Sequence, residues 1–124
     1  MSRPEFTCSV RVQYMAEESK PPAGPFTFSY TVTVRNTGDV TAQLVARRWL
    51  LSDAAGHTEE IRGLAVVGQQ PVIKPGDQFE YKSHVRIDSP QGSMQGTYFC
   101  MTEDARPFEA TVPLFVLARP ESLH

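Results

Sequence analysis

The chain has 124 residues, with 12 Lys and Arg against 14 Asp and Glu, and a formal net charge of −2. That balance excludes a general electrostatic drive toward nucleic acid or an anionic membrane, since both require a dense basic surface. At 40% hydrophobic and 21% charged residues, the composition is that of an ordinary globular domain, and one domain over residues 1–124 is expected, with a strand core at about residues 6–118.

Met1-Ser2-Arg3-Pro4-Glu5 is polar and no apolar stretch follows it, so no signal peptide is expected. No run approaches 18 apolar residues, so no membrane span is expected either, and a cytoplasmic location follows as the expectation. Cys8 and Cys100 are the only cysteines; two distant cysteines in a reducing compartment are expected to be free and buried. Their spacing fits no zinc motif.

The dominant periodicity along the chain is 2. Phe6, Cys8, Val10, Val12 and Tyr14 alternate with more polar residues and predict a first strand. Met15 to Lys20 has room for a brief coil, and Pro21-Pro22-Ala23-Gly24-Pro25 reads as a stiff loop. Phe26, Phe28, Tyr30, Val32 and Val34 then alternate with Thr27, Ser29, Thr31, Thr33 and Arg35, the clearest strand in the chain. Asn36-Thr37-Gly38-Asp39 is a turn. Gln43 to Leu51 is strand-like without clean alternation, and Thr58 to Arg62 is expected to pair with it across Asp53-Ala54-Ala55-Gly56. Lys74-Pro75-Gly76-Asp77 is a second turn. Phe79, Tyr81, Val85 and Ile87 form the inner face of a further strand, and Ser89-Pro90-Gln91-Gly92 a third turn. Thr97 to Thr102 is strand-like, Glu103-Asp104 a hairpin turn, and Phe108, Ala110, Val112, Leu114 and Val116 the inner face of the last strand. Short strands separated by Gly/Pro turns, with no long helical period, predict an all-β fold: a single antiparallel β-sandwich.

Gly63-Leu64-Ala65-Val66-Val67-Gly68 has the spacing of a GxGxxG phosphate loop with Ala65 at the middle glycine. That loop works because a strand feeds a glycine turn and then a helix whose N-terminus meets the pyrophosphate. Here Pro71 and Pro75 follow closely and forbid such a helix. Two readings remain open for the segment. Gly63 and Gly68 relax the backbone at a bulge or a positive φ, or successive N–H groups form an anion nest flanked by Arg62 and Lys74.

Val67-Gly68-Gln69-Gln70-Pro71-Val72-Ile73-Lys74-Pro75-Gly76-Asp77-Gln78-Phe79-Glu80-Tyr81 resembles the VVGxQPxxxPGxxFxY signature of the ApaG family, also called CorD. Gly92-Ser93-Met94-Gln95-Gly96-Thr97-Tyr98 resembles its GxMxGxY element. Tyr30 to Gly38 and Leu44 to Trp49 are similar to its strands, and the likeness is collinear over about residues 6–124. The resemblance implies a fibronectin type III-like sandwich. It also implies a small bacterial cytoplasmic protein linked to cobalt resistance and magnesium homeostasis, related to domains that look like protein-binding modules in eukaryotic proteins. The family often shows GxGVVG, the pattern behind proposals of nucleotide or pyrophosphate binding, and Ala65 weakens that proposal here. It commonly has ARHW where this chain has Arg48 for the histidine, so no metal role of that histidine carries over.

No catalytic constellation is legible. The chain has no GxSxG, and His57, His84 and His124 lack the spacing of a metal pair and read as solvated. Glu103-Asp104 could hold Mg²⁺ only weakly, and a solvated turn is the plainer reading. Trp49 reads as core; Arg47 shares its strand face and needs an acceptor if buried. The candidate ligand-binding surface comprises Arg47, Gly63, Ala65, Gly68, Gln69 and Lys74. The expectation is a non-enzymatic binding or adaptor domain without metal or cofactor. It would hold a protein partner through edge strands and loops, as a monomer or homodimer. The alternative is a binder of pyrophosphate or a nucleotide phosphate at residues 63–68.

Overall fold

The computed structural model describes residues 2–20 and 24–119. Pro21, Pro22 and Ala23 of the expected stiff loop, and His124, lie outside the described residues. The strands are β1 (Phe6–Tyr14), β2 (Phe26–Asn36), β3 (Ala42–Asp53), β4 (Thr58–Leu64), β5 (Val72–Ile73), β6 (Gln78–Ile87), β7 (Gln91–Thr102) and β8 (Pro107–Ala118). All pairings are antiparallel, and they form two sheets. The smaller has the order β1-β2-β6; the larger has β4-β3-β7-β8, with β5 also on β3 beside β4. The expected all-β sandwich is therefore what the chain forms, and the brief coil after β1 is a 3-10 turn at Ala16–Glu18.

β2 is central in its sheet, and both its faces are buried at the start. Phe26, Phe28, Val32 and Val34 face the core, while Thr27 and Ser29 are buried on the other side. The 3-10 turn folds over that side: Thr27 Oγ1 donates to Glu18 O at 2.8 Å, and Thr27 N donates to Ser19 Oγ at 2.9 Å. Trp49 meets Tyr30 of the opposite sheet and Tyr98 and Phe115 of its own sheet edge to face, at centroid distances of 5.8, 6.0 and 5.9 Å, the arrangement aromatic quadrupoles favour. Gly96 stands directly opposite Trp49 in the ladder. A Cβ there would lie 2.6 Å from Trp49 Cε3, so the indole occupies the space that any other residue would fill.

Two irregularities reset which residues face inward. Leu44 pairs with Cys100, but Ala46 pairs with Phe99, leaving Val45 as an extra residue in β3. Met94 pairs with Phe115, but Gly96 pairs with Val112, so β8 has one extra residue at Pro113-Leu114. Proline cannot donate to a ladder and settles at such bulges. A one-residue shift exchanges the faces of a strand. That corrects the single alternation expected for β8. Ala110 and Val112 face the core, but after the bulge Phe115 and Leu117 take over and Leu114 and Val116 are exposed. The turn expected at residues 89–92 is also shorter, because Gln91 and Gly92 already belong to β7.

Asn36 ends β2 as a buried asparagine whose bonding groups are engaged. Its Nδ2 donates to Val40 O at 2.9 Å and to Ile73 O at 2.8 Å, and its Oδ1 accepts from Gly38 N at 3.0 Å. Its backbone N donates to Asp77 O, and its carbonyl accepts from Gly76 N. Gly76 takes φ +86°, which explains the glycine of the Pro75-Gly76 turn.

Tyr81 and Tyr98 share a hydrogen bond between their buried hydroxyls across the two sheets. Burial pushes the Tyr81 hydroxyl well above its ordinary pKa, and burial with the neighbouring Tyr81 does the same to Tyr98. The unfolded chain releases these protons near pH 10 while the folded chain keeps them. Their contribution is therefore complete below about pH 10 and is lost as pH rises beyond it. Urea unfolding across pH 7 to 11 is expected to show a steep loss of stability above pH 10, and Tyr81→Phe with Tyr98→Phe is expected to flatten it.

Candidate functional site

The segment from Gly63 to Pro71 is a tight hairpin clamped onto the bulge of β3. Because of the extra residue, the inward face of Leu44 continues through Arg47 and Trp49, so Arg47 points toward the core. Its strand partner is Gly63. A Cβ on Gly63 would meet both terminal nitrogens of Arg47 at 2.9 Å, so the guanidinium lies across the bare glycine. It ends at the turning chain, where Nη1 donates to Leu64 O at 2.9 Å and to Ala65 O at 2.7 Å. Gly63 is thus required for a close approach, not for an unusual φ.

The left-handed positions fall instead on Ala65 (φ 68°), Val67 (φ 43°) and Gly68 (φ 80°). Val66 and Gln69 exchange backbone bonds of 2.8 and 2.9 Å around Val67-Gly68, a two-residue loop with the signs of a type I′ turn. Val66 is fully buried beneath it. The bulge carbonyl of Val45 accepts twice, from Ala65 N at 2.8 Å and from Gln70 Nε2 at 3.0 Å. Leu44 N donates to Pro71 O, and Gln43 Nε2 donates to Gln70 O. The N–H groups of Ala65, Val66 and Gln69 are all used inside the chain.

Of the six candidate residues, Arg47, Gly63 and Ala65 are in direct contact, and Gln69 and Gly68 complete the adjoining hairpin. Lys74 is exposed in the turn beyond β5, where its carbonyl accepts from Asp77 N. No hydrogen bond among the described residues joins it to the other five. Elsewhere, His57 Nδ1 lies 3.1 Å from Asp53 Oδ2 in an exposed turn, and Asp104 is held by Thr102 and Arg106. Both cysteines are free and buried, and burial pushes each thiol up to about 12.

An apolar surface adjoins the hairpin. On the outer face of the larger sheet, Leu64, Ala46, Phe99 and Glu109 form one cross-strand row, and Val72, Gln43, Met101 and Pro107 form the next. Leu64, Val72, Phe99 and Met101 are between 37% and 73% exposed, and Val67 at the hairpin tip is half exposed. A cleft of about 300 Å³ between Val72, Met101, Gln43 and Ala105 opens at one end. At the other end Arg48 stands directly opposite Arg62, a like-charge pair that is unfavourable by itself. Glu60 takes both: Arg48 Nη2 lies 3.0 Å from its Oε2, and Arg62 Nε bonds its Oε1. The hydrogen bonds from Arg62 and then Arg48 lower the pKa of that carboxyl below its ordinary value. The sequence signal for this surface is the unbroken apolar run Tyr98-Phe99-Cys100-Met101, which leaves Phe99 and Met101 for the outer face of this part of β7.

Two outcomes test the hairpin. Val67→Asn puts a residue that tolerates left-handed backbone into the turn and is expected to raise stability by about 1 kcal/mol in urea unfolding. Gly63→Ala and Arg47→Ala are each expected to cost about 1–3 kcal/mol, while the double variant costs little more than either; additive losses would show that the two do not share one interaction.

The family model described as the ApaG domain matches residues 16–102. Protein ApaG of Ralstonia nicotianae is 50% identical over 124 residues, covering the whole of both chains. Protein ApaG of an Acidovorax species is 51% identical over 119 residues, covering 94% of this chain and 87% of its own. The crystal structure of the putative ApaA protein from Bordetella pertussis is 43% identical and superposes with a TM-score of 0.92, covering 94% of this chain and 95% of its own. The chain belongs to the ApaG family.

Proposed function

We propose that this member of the ApaG family is a non-enzymatic binding domain that holds a protein partner on the outer face of its larger sheet. One observation carries the reading: Leu64, Val72, Phe99 and Met101 lie side by side and exposed, with Val67 at the rim. Contiguous exposed apolar surface of this kind is characteristic of contact sites, and the Arg48-Glu60-Arg62 group supplies a polar border. The family's link to cobalt resistance and magnesium homeostasis then operates through the partner, in the cytoplasm, and requires no cation bound to this chain.

A phosphate-type anion at residues 63–68, framed by Arg47, Gly68, Gln69 and Lys74, is the second reading. The exposed left-handed tip at Val67-Gly68 favours it. It ranks lower because Arg47 Nη1 and the N–H groups of Ala65, Val66 and Gln69 already have acceptors.

Affinity capture with the whole chain, compared with Val72→Asp/Phe99→Asp, tests the first reading. Proteins held by the wild type are expected to be lost with the folded variant and kept with Lys82→Asp on the other sheet. Equal capture by both would reject the apolar face. Titration of the labelled chain with pyrophosphate is expected to leave the amides of residues 63–70 unshifted; saturable shifts there at sub-millimolar ligand would promote the anion reading.

A further inference from the structure

β6 ends the smaller sheet. β2 pairs with one of its edges from Phe26–Ile87 to Arg35–Gln78, and among the described residues no strand pairs with the other. The direction of its free groups follows from one bond. Asn36 N donates to Asp77 O at 3.0 Å, which makes Arg35–Gln78 a non-hydrogen-bonded pair. The N–H and C=O groups of Phe79, Tyr81, Ser83, Val85 and Ile87 therefore face β2, and those of Gln78, Glu80, Lys82, His84 and Arg86 face outward.

We infer that this edge pairs with the same edge of a second copy, antiparallel about a two-fold axis at Ser83. That register joins the outward-facing groups of Lys82 with those of His84, and those of Glu80 with those of Arg86. It also places each Glu80 side chain, whose carboxylate accepts from Thr33 Oγ1 at 3.0 Å and lies 3.5 Å from Arg11 Nη2 within its own sheet, beside the partner copy's Arg86 on the outer face, twice by symmetry. On the inner face Tyr81 meets Val85 and Phe79 meets Ile87, which covers the half-buried Phe79 and Val85. Ser83, small enough for close approach, meets itself. Registers centred on Tyr81 or on Val85 overlap less of the strand.

Charges on an exposed edge normally prevent sheet-to-sheet association. Here Glu80 and Arg86 are equidistant from Ser83 and so complement a copy of themselves, while Lys82 comes to stand opposite His84. The product is a continuous six-stranded sheet, β1-β2-β6 joined to its symmetry mate. This inference uses an edge distinct from the apolar face, so either can fail without the other.

Sedimentation of the whole chain from micromolar to millimolar concentration is expected to show a monomer–dimer equilibrium that weakens with added salt. Hydrogen exchange over the same range is expected to show protection growing at the amides of Glu80, Lys82, His84 and Arg86, while those of Tyr81, Ser83 and Val85 stay equally protected throughout. Arg86→Glu is expected to raise the dimer Kd at least about tenfold, and Glu80→Arg/Arg86→Glu to restore it. A chain that stays monomeric at millimolar concentration overturns the proposal. So does concentration-dependent protection confined to β7, or a double exchange that fails to restore dimers in a variant with native circular dichroism.

Discussion

The single extra residue at Val45 is the constraint from which the hairpin and its sequence signature follow. It turns Arg47 inward beside Trp49, where a guanidinium without acceptors would be strongly unfavourable. The chain supplies carbonyls of Leu64 and Ala65, which only a glycine at 63 lets the side chain reach. The bulge also leaves Val45 O in need of donors, and Ala65 N and Gln70 Nε2 provide them. To bring both about, the backbone goes left-handed at Ala65, Val67 and Gly68. A glycine-rich motif with the spacing of a phosphate loop is thus accounted for by the needs of one half-buried arginine and one bulged carbonyl.

How much of this is legible in the sequence depends on whether a strand keeps one register. β2 and β6 alternate without interruption, and their faces can be read off directly. β8 begins the same way, but Pro113 marks a bulge after which the pattern inverts, and nothing in the apolar residues themselves announces the change. The first half of β7 is hidden by its glycines. Gly92 and Gly96 look like loop residues, yet each sits inside the strand because Ser52 O and the Trp49 ring leave no space for a side chain. At the candidate site the position of the glycine segment is visible, but its role is not, since that role is fixed by Arg47 sixteen residues earlier. Asn36 reads as a turn former, whereas its burial and its bond to Ile73 depend on a crossover that no local pattern contains.

The two surfaces of the molecule have different physical characters. The outer face of the larger sheet offers apolar area and little backbone, so a partner there is selected by shape and by the arginines at its border. The far edge of β6 offers a row of backbone groups with Glu80 toward one end and Arg86 toward the other, so it selects by register. Because they lie on opposite sheets, occupation of one leaves the other accessible. Two copies joined at β6 would present two apolar faces, and a partner with paired contact segments would gain from the effective concentration of the second.

Asn36 has a consequence for the order in which the chain assembles. Its side chain reaches Ile73, 37 residues away, and its backbone exchanges bonds with Gly76 and Asp77. Local pairing of β1 with β2 can form without any of these. They become available only when the crossover from β5 to β6 closes over the end of β2, after loop entropy for that long stretch has been spent. Until then the amide is solvated. Asn36 therefore acts late, stabilising the closed sandwich against opening more than it speeds closure, so that the lifetime of the native state rests on it to a greater degree than the rate of folding.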